Sequence, residues 1–244
     1  MRRGIRILLI LIVVLGGLFV AVDRLAVAYA QSQAAEKLQS MKGLTDKPSV
    51  SIKGFPFLTQ VAARDLNDVT VSIDNVTAPT ASPGSASTGG SDLLRIARFT
   101  ADLHNVRINS NFSGAVADTV TGTALISYSD LSKVASDQLS PVASGVTVAY
   151  GGTGSSGQGQ VKISGTVHLP FLGSEQVGGT GSVTVRGSNR VLIETPHGLS
   201  RLTRAAGLSW PVSGLPTGIW LSGIQAAPDG LHISLTGSEI QFAE

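Results

Sequence analysis

Leu231-His232-Ile233-Ser234-Leu235-Thr236 is the stretch that decides the fold class of this chain. Apolar and polar residues alternate with a period of two, so one face of the segment meets an apolar environment and the other meets water. The same alternation runs through Val69-Thr70-Val71-Ser72-Ile73, Val161-Lys162-Ile163-Ser164 and Val183-Thr184-Val185-Arg186. Further strands are expected over Ile96–Leu103, Val106–Phe112, Val120–Tyr128, Val146–Tyr150 and Arg190–Thr195, and Ile240 and Phe242 continue the last one. One-sided strands are the habit of antiparallel sheets, whereas strands of a parallel βαβ sheet are apolar on both faces. The 29 glycines and the 5% aromatic content agree with many tight turns and few packed helices. The body is therefore read as mainly β (α+β). Two short helices fit the gaps: Ser129–Leu139, with Leu131, Val134, Ala135 and Leu139 on one face, and Gly198–Ala206, with Leu199, Leu202 and Ala206.

Two low-complexity stretches punctuate the strands. Ala78–Ser91 (APTASPGSASTGGS) reads as a flexible insertion, and Gly151–Gly159 (GGTGSSGQG) as a hairpin tip. Strands of the same style continue on both sides of each, so residues 31–244 are read as one extracytoplasmic domain following a leader of residues 1–30.

That leader fixes the compartment. Ile7–Val22 is an unbroken apolar run, preceded by Met1-Arg2-Arg3-Gly4-Ile5-Arg6. At 1.5 Å per residue the run covers about 24 Å, and taking in Gly4 and Ile5 while Arg6 reaches back to the headgroups lengthens it enough to cross a ~30 Å hydrocarbon core. The three leading arginines place the start in the cytoplasm and the body outside. Two fates are open. Ala28-Tyr29-Ala30 before Gln31 fits a small-x-small signal-peptidase site, which would release a secreted body. Alternatively the helix continues uncleaved through Arg24, Ala28, Gln31, Ala35 and Leu38, since Asp23–Met41 contains neither Gly nor Pro.

Composition removes several function classes. Of 18 Lys+Arg, Arg2, Arg3 and Arg6 lie in the first six residues, leaving 18 − 3 = 15 against 16 Asp+Glu, so the rest of the chain has no basic surplus with which to track a nucleic acid. Without Cys there is no disulfide framework, no thiolate metal site and no cysteine nucleophile. The four histidines, His104, His168, His197 and His232, lack metal-ligand spacing, and no metal or cofactor is expected. Gly152-Thr153-Gly154-Ser155-Ser156-Gly157 matches the dinucleotide fingerprint in letters, but a strand follows it where a helix is needed to face a pyrophosphate. Neither a Gly-x-Ser-x-Gly elbow nor a Gly-x-x-x-x-Gly-Lys loop occurs, the carboxylates are scattered, and Asp65 and Asp68 near a strand start read as solvated turn formers. The chain is not read as an enzyme. Asn75-Val76-Thr77 and Asn111-Phe112-Ser113 fit glycosylation sequons by letter alone.

Three segments together resemble a known family: Ile52-Lys53-Gly54-Phe55-Pro56-Phe57-Leu58-Thr59-Gln60-Val61, Tyr128-Ser129-Asp130-Leu131, and Leu215-Pro216-x-Gly218-Ile219-x-Leu221-x-x-Ile224 followed by Asp229-Gly230-Leu231-x-Ile233-x-Leu235-x-Gly237. The set is similar to the LmeA-like phospholipid-binding family of actinobacterial cell-envelope proteins. The resemblance implies a phospholipid-binding envelope protein, with one member linked to elongation of mannose-containing lipoglycans. It also implies an elongated, curved antiparallel sheet wrapped around a helix, similar to tubular lipid-binding domains.

Candidate lipid contacts follow from apolar residues at turns. Phe55, Phe57 and Leu58 crowd Pro56, and Phe171 and Leu172 repeat the arrangement after Pro170. Trp210 and Trp220 flank the Pro211–Pro216 turn, where they suit either the headgroup level or the core. Arg201 and Arg204 are the candidate headgroup cations. Three functions compete: a non-enzymatic phospholipid carrier of the envelope, a structural or partner-binding β module that organises envelope enzymes and binds no lipid, and a glycan-modifying enzyme; envelope glycolipid-synthesis enzymes are the expected protein partners. A roomy apolar interior favours the first, a filled core with an exposed edge the second, convergent carboxylates the third.

Overall fold

The computed structural model describes residues 2–42, 44–79, 93–110, 114–140, 143–154, 158–169, 173–187, 189–194, 209–211 and 217–242. In chain order these form α1 (Arg2–Lys42), β1 (Ser49–Lys53), α2 (Phe57–Ala63), β2 (Asp65–Pro79), β3 (Leu93–Ile108), β4 (Ala115–Ile126) and α3 (Tyr128–Leu139). Then come β5 (Ala143–Thr153), β6 (Gly159–Leu169), β7 (Gly173–Arg186), β8 (Arg190–Glu194), β9 (Ser209–Pro211), β10 (Ile219–Ala227) and β11 (Gly230–Phe242). The strands make two antiparallel sheets, ordered β1-β2-β3-β4-β11-β10 and β5-β6-β7-β8-β9. The mainly β expectation holds, as does the helix expected at Ser129–Leu139, which begins one residue earlier. The two strands expected at Ile96–Leu103 and Val106–Phe112 are one, β3, with Asn105 at φ 50° marking the seam. The helix expected at Gly198–Ala206 and nearly all of the Ala78–Ser91 insertion lie outside the described residues.

The chain divides into two compact units. One comprises Met1–Ser72, Asp102–Thr119 and Glu239–Glu244, the other Ile73–Ala101 and Val120–Ser238. In the first, α1 is fully exposed along its apolar N-terminal half, then turns one face to protein. Asp23, Val27 and Ala35 are buried, with Ala30, Gln31, Ala34 and Leu38 half-buried between and beyond them. This i, i+4 spacing is the stripe a helix needs to pack on β1 and α2. Gln31 Nε2 donates to Ile52 O at 3.4 Å, and Lys47 Nζ reaches Glu36 Oε1 at 3.0 Å. β1 pairs with β2 through Val50↔Val71 and Ile52↔Val69, and Phe57, Leu66, Leu103, Val106, Ala117 and Ile240 are buried in this unit.

The second unit holds the larger core. β5, β6 and β7 align Val148, Ile163 and Gly179 in one row and Tyr150, Val161 and Gly181 in the next. β10 lies across β6 and β7, so closely that a Cβ on Gly159 would stand 1.7 Å from Ala226 O. Its buried side chains combine Ala124, Ala135, Ala143, Ala226, Val146, Val148, Val161, Val183 and Val191 with the larger Ile126, Leu221, Leu231, Ile233 and Leu235.

β5 is an edge strand, and an open edge invites pairing with another chain. α3 closes it with serines. Val148 N–H donates to Ser132 Oγ at 2.8 Å, and Ser136 Oγ donates to Val146 O at 2.8 Å. α3 starts cleanly because Ser127 caps it, accepting from Asp130 N–H at 3.2 Å and donating to Asp130 Oδ2 at 2.6 Å. Ser132→Ala strips the acceptor from a buried strand N–H, so its cost is expected to be about 1–3 kcal/mol, read from the urea midpoint of the purified chain.

Candidate lipid-binding site

The Gly54–Gln60 block bends into a turn and then α2. Gly54 has φ 99°, and a Cβ there would meet Gln60 Nε2 at 2.5 Å. The Phe55–Pro56 bond is cis. Gln60 is buried and works as a polar hub: its Oε1 accepts from Asn67 N–H at 3.0 Å and its Nε2 donates to Lys53 O at 3.4 Å. Thr59 Oγ1 donates to Pro56 O at 2.8 Å. α2 lacks a side-chain cap of its own at Pro56. The cap comes from α1 instead, where Asp23 Oδ1 accepts from Leu58 N–H at 2.9 Å and Oδ2 accepts from Arg24 Nη2 at 2.8 Å. A carboxylate at a helix start meets both unpaired N–H groups and the positive end of the helix dipole. Asp23 is fully buried, so these donors are what permits its charge there.

The predicted contact residues separate. Phe55 is 57% exposed, and the Arg24 guanidinium lies 5.1 Å from its ring centroid. Phe57 is buried in the first unit and Leu58 half-buried. Trp220 is partly exposed on β10, and Trp210 pairs in register with Val191 on β9. Phe171, Leu172, Arg201 and Arg204 lie outside the described residues. Sequence reasoning read the Pro56 segment as a turn and missed α2, because its capping residue is 35 positions upstream. It also missed Arg95 and Lys133, since neither stands in a motif.

Those two cations line an open cleft of about 620 Å³ beside α3, with Asp130, Ser132, Val134, Ser136 and Asp137. Lys133 Nζ is 3.6 Å from Asp130 Oδ1, and Arg95 donates to Asn75 Oδ1. An anion entering the cleft would meet two acids along with two cations.

Around the core of the second unit, Ile163, Val167, Val185, Ile219 and Ile224 pack against it and are half-buried. The family-like segments at Tyr128 and Gly230 meet nearby: Tyr128 donates its hydroxyl to Ala227 O at 2.7 Å, and a Cβ on Gly230 would stand 2.5 Å from Ile126 O. Burial, chiefly, pushes the Tyr128 phenol above its ordinary pKa, so it stays neutral and a donor. The Asp229 carboxyl lies below its ordinary value because it is hydrogen-bonded to His232, at 2.9 Å.

Four carboxylates on the strands have partners. Asp74 meets Arg98 at 2.9 Å, Asp118 meets Arg107, Asp68 meets His104, and Asp102 accepts from Thr70 Oγ1 at 2.6 Å. Among the described residues no group of three or more His, Asp or Glu is placed to hold a metal ion.

Comparison with known proteins gives one family: a model described as LmeA-like phospholipid-binding matches residues 21–236. No curated protein and no solved structure matches the chain.

The Tyr128–Ala227 bond and the Gly230 approach make a paired expectation. Tyr128→Phe removes one hydrogen bond and is expected to cost about 1 kcal/mol. Gly230→Ala drives a methyl into backbone, at a φ of 151° that disfavours side chains, and is expected to cost about 1–3 kcal/mol. Thermal unfolding of both variants beside the parent chain checks the order.

Proposed function

The chain belongs to the LmeA-like phospholipid-binding family, and on that premise we propose that it is a non-enzymatic phospholipid carrier of the cell envelope. In this reading residues 5–22 cross the cytoplasmic membrane with the N-terminus inside, and the body works outside in support of lipoglycan or envelope-lipid synthesis. The match over residues 21–236 carries the reading. Helix α1, long and apolar enough over Gly4–Met41 to contain a membrane span, supports its placement.

We assign the acyl chains to the half-buried side chains Ile163, Val167, Val185, Ile219 and Ile224 at the margin of the core. Withdrawing a tail from water gains about 0.8 kcal/mol per CH₂, so an apolar strip suffices for affinity without a constellation of polar contacts. The paired carboxylates along the strands have structural work that explains them without catalysis.

The anchor is retained in this reading. Asp23 and Val27 belong to the buried stripe of α1, and both lie upstream of the Ala28-Tyr29-Ala30 sequence. Cleavage after Ala30 would remove the cap of α2 together with half of that stripe.

Native mass spectrometry of the full chain, purified from its host in mild detergent, tests both parts. The expected species retains residues 1–30 and holds phospholipid stoichiometrically after the micelle is stripped. Ile163→Asp, placing a charge on the apolar margin, is expected to lower that occupancy several-fold with the far-UV spectrum unchanged. A chain that stays empty even after incubation with vesicles would refute the carrier. A mature N-terminus at Gln31 would refute the tether.

A further inference from the structure

We propose that the Gly54–Leu58 turn is a membrane-docking surface, with Phe55 and Arg24 seated among the phospholipid headgroups of the bilayer that α1 crosses. The inference rests on reading residues 5–22 as a membrane span, and it adds a second lipid contact to the acyl-chain margin.

Depth along a helix is fixed by arithmetic. The apolar run ends at Val22, and Arg24 is two residues further, about 3 Å along the axis at 1.5 Å per residue. The headgroup region on each side of the hydrocarbon is roughly 5–8 Å thick, so Arg24 stands within it. The Arg24 guanidinium lies 5.1 Å from the Phe55 ring centroid, and Leu58 N–H donates to Asp23 Oδ1 at 2.9 Å. Two contacts from opposite ends of the turn therefore hold it at the level where α1 leaves the hydrocarbon. A rotation of the body about α1 does not lift Phe55 from that layer while both contacts hold.

The chemistry of the surface suits headgroups. Phe55 is 57% exposed, an apolar ring that the fold leaves uncovered beside Arg24. Aromatic rings favour this depth. The Arg24 side chain is half-exposed, and its contact with Asp23 uses one terminal nitrogen of a five-donor guanidinium, so the remaining donors suit a lipid phosphate. Phe57, two residues on, is buried, which makes the turn a stiff wedge rather than a loose loop. The occupant is thus the phosphate-bearing surface of the same leaflet from which a tethered carrier would load.

The chain contains no Cys, so Phe55→Cys gives a unique site for a nitroxide label in the full-length protein. Reconstituted in phosphatidylcholine–phosphatidylglycerol vesicles, this label is expected to show several-fold lower accessibility to a water-soluble nickel complex than a label at Lys37→Cys, an exposed position of α1 about 22 Å past Val22. Its accessibility to oxygen should rise in parallel. Nickel accessibility equal to that at Lys37→Cys would overturn the proposal, as would strong dipolar broadening at high lipid dilution, which would mean that a second copy covers the turn. Phospholipid occupancy of the same labelled protein separates this inference from the carrier reading. A headgroup-depth label on a chain with an empty margin leaves docking standing alone. An aqueous label on a lipid-loaded chain removes docking alone.

Discussion

The buried carboxylate of Asp23 is the constraint on which the first unit depends. It follows directly on an apolar run, yet it is closed off from solvent, and a charge in that position is stable only where donors surround it. The Leu58 N–H and the Arg24 guanidinium supply them. Meeting that demand brings the start of α2 against α1, and the start of α2 fixes the Pro56 turn. Gln60 then ties the turn to Lys53 and Asn67, the end of β1 and the beginning of β2. One ionised side chain thereby couples the apolar helix to the first strands by hydrogen bonding, beside the buried Val27 and Ala35 of the same stripe.

The same economy explains why the family-like segments contain so little chemistry. Gly54 and Gln60 fit each other at a distance that leaves no room for a Cβ, and Tyr128 and Gly230 join α3, β10 and β11 through one hydroxyl and one close backbone approach. These residues shape the backbone. What they leave for the proposed ligand is apolar: Ile163, Val167 and Val185 at the core margin, and Phe55 on the turn. Residue types that recur because they build turns are easily mistaken for a binding motif, and only the hydrogen-bond partners tell the two apart.

How much was legible in the sequence follows from the range of the interactions involved. The strands of β6, β7 and β11 were readable because alternation is a local property imposed by one-sided burial. α3 was readable for the same reason, and its Ser127–Asp130 cap is local too. α2 was not, since its first N–H groups are satisfied from α1 and nothing within the segment signals a helix start. β9 is three residues long and depends on its register with β8, as Leu192↔Ser209 and Val191↔Trp210 show. The division of the strands into two sheets was also out of reach, because alternation states which face is buried but not against which partner. Among the site residues, Phe55 stands exposed at a turn, while Phe57, given the same reading, fills the core. Alternation is lost at a turn, and with it the means to tell outward from inward.

A tether changes what a carrier needs from its binding surface. A free protein must find its lipid by diffusion, and strong recognition repays the search. A domain fixed at a leaflet meets its ligand at an effective concentration set by geometry, so modest affinity suffices for loading. Modest affinity is also what release requires, because every CH₂ that is fully buried slows departure by about 0.8 kcal/mol. A margin of half-buried Ile and Val side chains, rather than a sealed cavity, fits both demands on the proposed reading. Glycine at position 159 lets the backbone of β10 approach the five-stranded sheet closely, and the half-buried aliphatic side chains packed on this core are the ones the proposed reading gives to a tail.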